Sequence, residues 1–444
     1  MSSNNIQGNI YNPANVFRFL FFSIFGMILF FVPFTINGVN TIPLDHVITW
    51  LNTVVPVLGP TVTLIIVIIG GIMPWFDRTF KQGALNFIMA IFRTLGIPLA
   101  FMMYFNFGPA ILMTPNMLPF IWEKVVVSVT VIVILGSIFL TFIIAFGCLE
   151  FIGVIVRPIM RPLYNTPGKS AIDAVASFVG SFSVAIYLTN KLYTENKYTL
   201  KEAMIIMTGF STVSATFMII VAKTAGFMPI WNFYFWSTLV ICFVVTAITV
   251  RMWPLTSIPD EYADGVGHPE VKVEGKSIFR QAWDEGLEAA YASKNFFRVV
   301  WDNLLGGIKM CFVLSPIMAS IGTLSFVLIN LTPFFNIVGF IHYPWTFIIS
   351  LFGIPEPMTL AIASTATLAE MFVPNVVVKA LPETAKYVIA VTSVSCILFF
   401  AGSLPCMLAT PAGQKVPFWK ILVVWYERTA LSIIISGIVA IIYF

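Results

Sequence analysis

The sequence predicts an all-α polytopic membrane protein, with about nine transmembrane helices and two re-entrant helical hairpins in an inverted repeat. Three observations lead there. Of 444 residues, 59% are hydrophobic and only 10% charged, where a soluble domain carries roughly a quarter charged. Two membrane-length stretches, 170–190 and 355–375, are unusually rich in Ser, Thr and Gly, and each is followed by an apolar, hydroxyl-dotted stretch, 207–221 and 388–402. Finally, a shift of 181 residues lays one pair on the other, matching Ser183 with Ser364, Glu202 with Glu383 and Ser214 with Ser395. Paired interrupted hydrophobic segments in corresponding halves are the sequence mark of a transporter's midplane site.

Spans are expected near 17–35, 55–76, 84–106, 124–147, 201–225, 230–252, 306–330, 386–408 and 418–443. The first is too long and bulky for a cleaved signal peptide. Basic residues orient them, because Lys and Arg favour cytoplasmic loops. Arg78 and Lys81, then Arg157, Arg161 and Lys169, then Lys272, Lys276, Arg280, Lys294 and Arg298 form three clusters. All three face the cytoplasm if the N-terminus is inside and residues 169–191 enter and leave on that side. The expected location is the bacterial cytoplasmic membrane.

Each half of 169–191 makes about 16 Å of helix, near half of an apolar core about 30 Å thick. Its tip is expected at Gly180–Ser181, and that of the second hairpin, 354–374, near Ser364–Thr365. Open backbone survives at that depth only inside protein or along a wet cavity. Helix ends meeting there present free amides and carbonyls to a substrate or ion. The hinge of the topology is 334–355, where Gly339, Pro344 and Gly353 interrupt the apolar run. Read as broken and not crossing, it makes the repeats inverted; a crossing would make them parallel and bring the C-terminus inside.

The expected organisation is a membrane scaffold (1–150), a first repeat (151–252), a cytoplasmic loop with an amphipathic helix (253–305) and a second repeat (306–444). Within the loop, Phe279, Trp283, Leu287 and Tyr291 recur every four residues, the period of one helix face. That face is expected on the membrane surface. Five cysteines and three histidines lie scattered without metal-ligand or CxxC spacing. No phosphate loop, nucleotide fingerprint or nucleophile elbow is present. The chain reads as neither an ATP-driven pump nor an enzyme, with no cofactor, metal or nucleic-acid partner.

Candidate substrate residues are the hydroxyls of the hairpins and their following segments. In the first repeat they are Ser177, Ser181, Ser183, Ser211, Thr212 and Ser214, with Asn190 as the hairpin's amide. In the second they are Thr359, Ser364, Thr365, Thr367, Thr392, Ser393 and Ser395. Any one of these could serve close helix packing; as a set they predict a polar cavity. A carboxylate at mid-bilayer costs roughly 2.5–3.5 kcal/mol and needs a partner. Glu356, between two prolines, marks the mouth of the second hairpin. Glu370, deeper in its returning arm, is the leading contact for substrate or proton. Asp173 and Glu370 are the candidate coupling-ion residues, with sodium or a proton as the ion. Glu150 is expected to pair with Arg157, and adjacent Glu427 and Arg428 need separate partners.

The run PGKSAIDAVASFVGSFSVAIYLTNKLY with TGFSTVSATFMIIVAKTAG resembles the YjiH-type membrane proteins that carry the nucleoside-recognition, or Gate, domain. The resemblance covers most of the chain from about residue 120 and extends loosely to concentrative nucleoside transporters. It implies a hairpin-plus-helix repeat, inverted about a central substrate site, with acidic and amide side chains holding a nucleoside. Here hydroxyls stand at most of those positions. The expected function is secondary transport of a small polar metabolite, nucleoside-like by resemblance. Spore-maturation relatives imply the alternative, a non-transporting assembly subunit. Expected partners are a small-molecule substrate, the lipid bilayer, and a second copy or a second Gate-domain protein.

Overall fold

The computed structural model describes residues 10–444 except 33, 37–38, 115–116, 172–173, 175–176, 178–181, 214, 267–276, 294 and 409. Helix α1 (Pro13–Phe31) stops short of the expected 35, and a small antiparallel pair, β1 (Phe34–Ile36) and β2 (Val39–Thr41), takes the chain back. Then follow α2 (Pro43–Val54), α3 (Leu58–Phe76), α4 (Ala84–Tyr104), α5 (Ser128–Ile144) and α6 (Cys148–Tyr164). The first repeat continues through α7 (Phe182–Thr194), α8 (Leu200–Gly209), α9 (Ala215–Ala225) and α10 (Trp231–Thr249). Helices α11 (Ile278–Ala292) and α12 (Phe296–Leu331) lead to short α13 (Phe334–Val338) and α14 (Tyr343–Ser350). The second repeat ends with α15 (Pro357–Ala366), α16 (Val373–Val377), α17 (Glu383–Ser395), α18 (Ser403–Leu408) and α19 (Phe418–Tyr443).

Six segments among the described residues are long and apolar enough to cross a membrane: 58–76, 86–104, 121–143, 228–249, 296–325 and 418–443. The other three expected spans explain themselves. The first becomes the shorter apolar α1. The spans expected at 201–225 and 386–408 are each interrupted, as α8 then α9 and α17 then α18. Ser211 and Thr212 stand in the first interruption, and Thr392, Ser393 and Ser395 close the helix before the second, where such side chains compete for backbone bonds. Residues 334–355 form two short helices and no straight span.

Contacts at the two ends of the molecule settle the direction of each repeat. At a basic end, Arg251 donates to the carbonyls of Leu163 (2.6 Å) and Pro162 (2.9 Å), and Leu200 N donates to Glu261 O (2.8 Å). There too, Asp264 N donates to the side chain of Asn196 (3.0 Å), Lys415 reaches Tyr193 (2.8 Å) and Lys420 reaches Ser257 (3.0 Å). At an opposite, aromatic end, Phe444 packs on Phe227 and Tyr387, and Tyr443 on Phe233. The chain leaves the basic end near 163 and is back there by 196, as a re-entrant hairpin must. From there α8 and α9 run to the aromatic end, whereas α17 and α18 run the other way. The repeats are inverted.

One signal repeats with that inversion. Thr199 accepts from Glu202 N (3.2 Å) while Glu202 accepts from Thr199 N (2.9 Å), a reciprocal cap that starts α8. Glu383, its match 181 residues on, opens α17 at the other end. An acid in the first turn suits the positive end of either helix.

Long α12 packs against α3, α4 and α5 and ties the scaffold together. A Cβ on Gly70 would stand 2.1 Å from Phe312 O, and one on Gly96 2.4 Å from Pro316 O, so α3 and α4 touch the α12 backbone itself. Pro316 offers no amide to Phe312 O, and Arg93 Nη2 donates to that carbonyl at 3.1 Å. The loop helix α11 turns its apolar face to α6 and α1. Trp283 meets Phe19 edge to face and Leu287 is fully buried, while Phe279, expected on the same face, is 71% exposed. Arg157 pairs with Glu285 of α11 at 3.0 Å, not with Glu150, because docking brings that carboxylate closer. The boundary expected at 305/306 falls inside α12, which already begins at Phe296.

Candidate functional site

The second hairpin is unequal, a ten-residue helix α15 followed by the five-residue α16. Ser364 and Thr365, expected at its tip, therefore lie in the last turn of α15, and the turn follows them. What sets its position is Glu370. Its Oε2 accepts from Phe372 N (2.7 Å) and Val373 N (2.8 Å), capping α16 just before Pro374. Halving the segment cannot foresee a carboxylate that starts the return arm early. Asn375, one turn on, donates to Met371 O (3.0 Å) and Ser393 Oγ (3.1 Å) and so ties α16 to α17.

The two helix breaks are built alike. Each opens with a three-residue turn: Thr212 N donates to Phe210 O (2.7 Å), and Leu398 N to Cys396 O (2.7 Å). In the second, Ile397 adopts φ 62°, a left-handed conformation that β-branched side chains resist. The hairpins bond to these breaks. Phe400 N donates to Leu368 O (2.7 Å) and Ala401 N to Ala369 O (3.0 Å), while Ser177 Oγ donates to Thr212 O (3.1 Å). Backbone freed from both helices is thus taken up by protein, as membrane depth requires.

Between the breaks lies Arg428 of α19, with no exposed surface. Its Nε and Nη2 donate to Ser395 O (3.1 and 2.9 Å), the last residue of α17. Its Nη1 donates to Thr246 Oγ1 (3.0 Å), whose one proton is shared between Gly209 O (2.7 Å), the last residue of α8, and Cys242 O (2.8 Å) one turn back in α10. One side chain therefore joins the carbonyl ends of both broken helices. The sequence marks α19 weakly, through Ser432 and Ser436 at four-residue steps from Arg428; Thr246, Asn375 and Arg428 were not among the expected site residues.

The expected hydroxyls divide. Several are consumed locally: Thr365 meets His342 Nδ1 (2.8 Å), Thr367 donates to Ser364 O (2.6 Å), and Ser395 donates to Ser432. Ser211, Ser364 and Thr392 are buried with no hydrogen-bond partner for their hydroxyls, as is Asn375 Oδ1. Buried polar atoms left open in this way call for a water, ion or ligand. Asn190, by contrast, accepts from Ala412 N (3.3 Å) toward the basic end, and Glu356, exposed, accepts from Thr359 Oγ1 (3.2 Å) at the hairpin mouth. Glu356 is thus at the hairpin mouth as expected, and Asn190 lies in the arm that returns to the basic end. Asp173, Ser181 and Ser214 lie outside the described residues, as does the side chain of Ser183.

Glu370 lines an enclosed cavity of about 20 Å³ whose other walls include Phe182, Val213, Phe217, Met371 and Phe399. That is room for about one water. Phe182, Met310, Leu314 and Ala401 also line a second cavity of about 250 Å³, which Asn86, Arg93, Gly402 and Cys406 complete. The larger space lies between scaffold helices α4 and α12 and the parts of the repeats that run from the breaks to the basic end. The apolar walls of this larger space, with Asn86 and the Arg93 guanidinium, can enclose a small amphiphilic molecule. Among the described residues no three His, Cys, Asp or Glu side chains gather as a metal site.

The chain is 26% identical over 457 residues to an uncharacterized protein of Alkalihalophilus pseudofirmus, covering 97% of this chain and 95% of the relative. Solved structures of CNTnw, a concentrative nucleoside transporter, are similar along nearly the whole chain. One, in an outward-facing state, is 13% identical with TM-score 0.44, covering 96% of this chain and 98% of that one. Another, in an intermediate state, is 12% identical with TM-score 0.46, covering 97% and 94%. Residues 126–228 match the family described as Gate, nucleoside recognition, a stretch running from α5 through the first hairpin and α8–α9 to the turn before α10. The chain is a multi-pass membrane protein with a Gate-type nucleoside-recognition match in the first of its two inverted repeats.

Proposed function

We propose that this protein is a secondary transporter that carries a small polar metabolite, nucleoside-like in its chemistry, across the cytoplasmic membrane. The observation that carries the reading is the pair of broken helices, each bonded at its break to a re-entrant hairpin, with Glu370 lining the small cavity beside them and unbonded polar atoms buried in both repeats. Such half-helix ends let a site be rebuilt from either side as one part rocks against the other. In this reading the cargo enters the larger cavity, which shares the walls Phe182, Met310, Leu314 and Ala401 with the small cavity that Glu370 lines. Ser211, Ser364, Thr392 and Asn375 offer the hydrogen bonds they otherwise leave unmade. Sodium or a proton supplies the driving force. The basic end, with Arg157, Arg161, Arg251, Lys415 and Lys420, is cytoplasmic by the positive-inside rule. The Gate match at 126–228 supports the nucleoside chemistry.

Uptake of labelled uridine into proteoliposomes, against empty vesicles, tests the reading. The expected result is saturable uptake in wild type that Glu370→Gln lowers about ten-fold, the loss of about 1.4 kcal/mol of recognition. Folded protein that takes up no nucleoside, amino acid, dipeptide or carboxylate would instead indicate an assembly subunit.

A further inference from the structure

Arg428 is a full positive charge at the depth of the helix breaks, without exposed surface. Burying such a charge in a membrane is costly, and intramembrane arginines as a rule pair with carboxylates or with backbone carbonyls. Among the described residues no carboxylate bonds to it. Neighbouring Glu427 leaves Oε2 buried and unbonded, on a different side of α19. All three of the guanidinium's hydrogen bonds go instead, directly or through Thr246, to the carbonyl ends of α17 and α8. A helix C-terminus carries about half a negative charge, so two of them come to about one. In transporters built from broken helices, these carbonyl ends are where a sodium ion is coordinated.

We infer that Arg428 is a resident cation: its guanidinium takes the electrostatic place of a metal ion between the two half-helix C-termini, so no sodium binds at these breaks. It acts as a positioning residue, holding both breaks in register through α19 and through Thr246 of α10. The inference rests on the transporter reading for its meaning in the transport cycle, and of the two driving ions named there it selects the proton. The cation response that tests it needs no cargo, so either can fail alone.

The experiment is thermal unfolding of the purified full chain, followed by tryptophan fluorescence in choline, potassium, sodium or millimolar methylguanidinium chloride. Wild type should melt at the same temperature in all four. Arg428→Ala should melt several degrees lower and be restored in part by methylguanidinium, which can enter the vacated space, but not by choline. Arg428→Lys, which keeps the charge and loses the planar fork, should fall between and show no rescue. A selective rise of the wild-type melting temperature with sodium overturns the inference. So does an Arg428→Ala protein that is indifferent to every cation. If that variant does not fold, the wild-type and Arg428→Lys arms decide.

Discussion

Glu370 stands out on the sequence because carboxylates are rare at such depth, yet its local task is not visible there. It accepts from two amides of its own hairpin, which fixes where the return arm begins. Its two roles can be separated experimentally. Gln keeps an acceptor for those amides but loses the charge, so Glu370→Gln should lower stability by about 1–2 kcal/mol, the increment for a charged acceptor. Glu370→Ala should cost more, because two buried amides lose their acceptor at about 1–3 kcal/mol each. Denaturant unfolding of the two variants measures the difference; equal losses would mean that the cap contributes little. Ser211, Ser364 and Thr392 were legible as a polar set and Glu356 as a residue of the hairpin mouth, whereas the place of Asn190 beside Ala412 was not. Residue type and spacing mark a polar side chain but not its height in the membrane, which depends on the unequal arms.

Each broken helix is written in the sequence as a hydrophobic span, and hydropathy alone cannot tell a straight span from two half-helices. Its start was legible, since Glu202 and its match Glu383 both open a helix. The break depended on partners from elsewhere: Arg428, Thr246 and the hairpin backbone. Gly209 shows how tightly these fit, because a Cβ there would come within 2.5 Å of Thr246 Cγ2. Gly209→Ala should therefore displace Thr246 from the Gly209 carbonyl and destabilise by about 1–3 kcal/mol, the usual cost of overpacking. In the scaffold, Gly70→Ala should cost as much or more, since its Cβ would meet backbone, the Phe312 carbonyl, which cannot swing aside. Melting curves of both variants check this, and an unchanged Gly70→Ala would show that α3 and α12 can part freely. Helix α11 is held by weaker means. The Arg157–Glu285 pair leaves 18% and 30% of its side chains exposed, so a double-mutant cycle should give at most about 1 kcal/mol.

At the scale of the molecule, Tyr11 and Phe444 lie toward opposite ends. Tyr11 donates to Asp284 of α11, which follows the loop anchored at the basic end, while Phe444 packs on Phe227 and Tyr387 at the aromatic end. Single cysteines at Asn196 and Lys420 should therefore label from the same face, and one appended after Phe444 only from the other. Four of the five native cysteines are buried and the fifth is half-buried, which keeps background labelling low. Labelling of all three positions from one face would reject the inverted arrangement. This same geometry brings α7 against α18 and α16 against α9, so each hairpin's return arm packs on the far half of the other repeat's broken helix.

Composition, span lengths, the 181-residue repeat and the basic clusters were sufficient to read an all-α membrane protein with two hairpins. These are properties of runs of residues, and a run's solubility in lipid or water is fixed by its own side chains. The inversion of the repeats was close to undecided from charge, because Lys379 and Lys386 offset Lys415 and Lys420. Only the tertiary structure decided it, together with the helix breaks, the capping by Glu370 and the place of Arg428. Each of these depends on which carbonyl or amide another segment brings within hydrogen-bonding distance. That is set by how helices far apart in the chain pack, and no local pattern of residues records it.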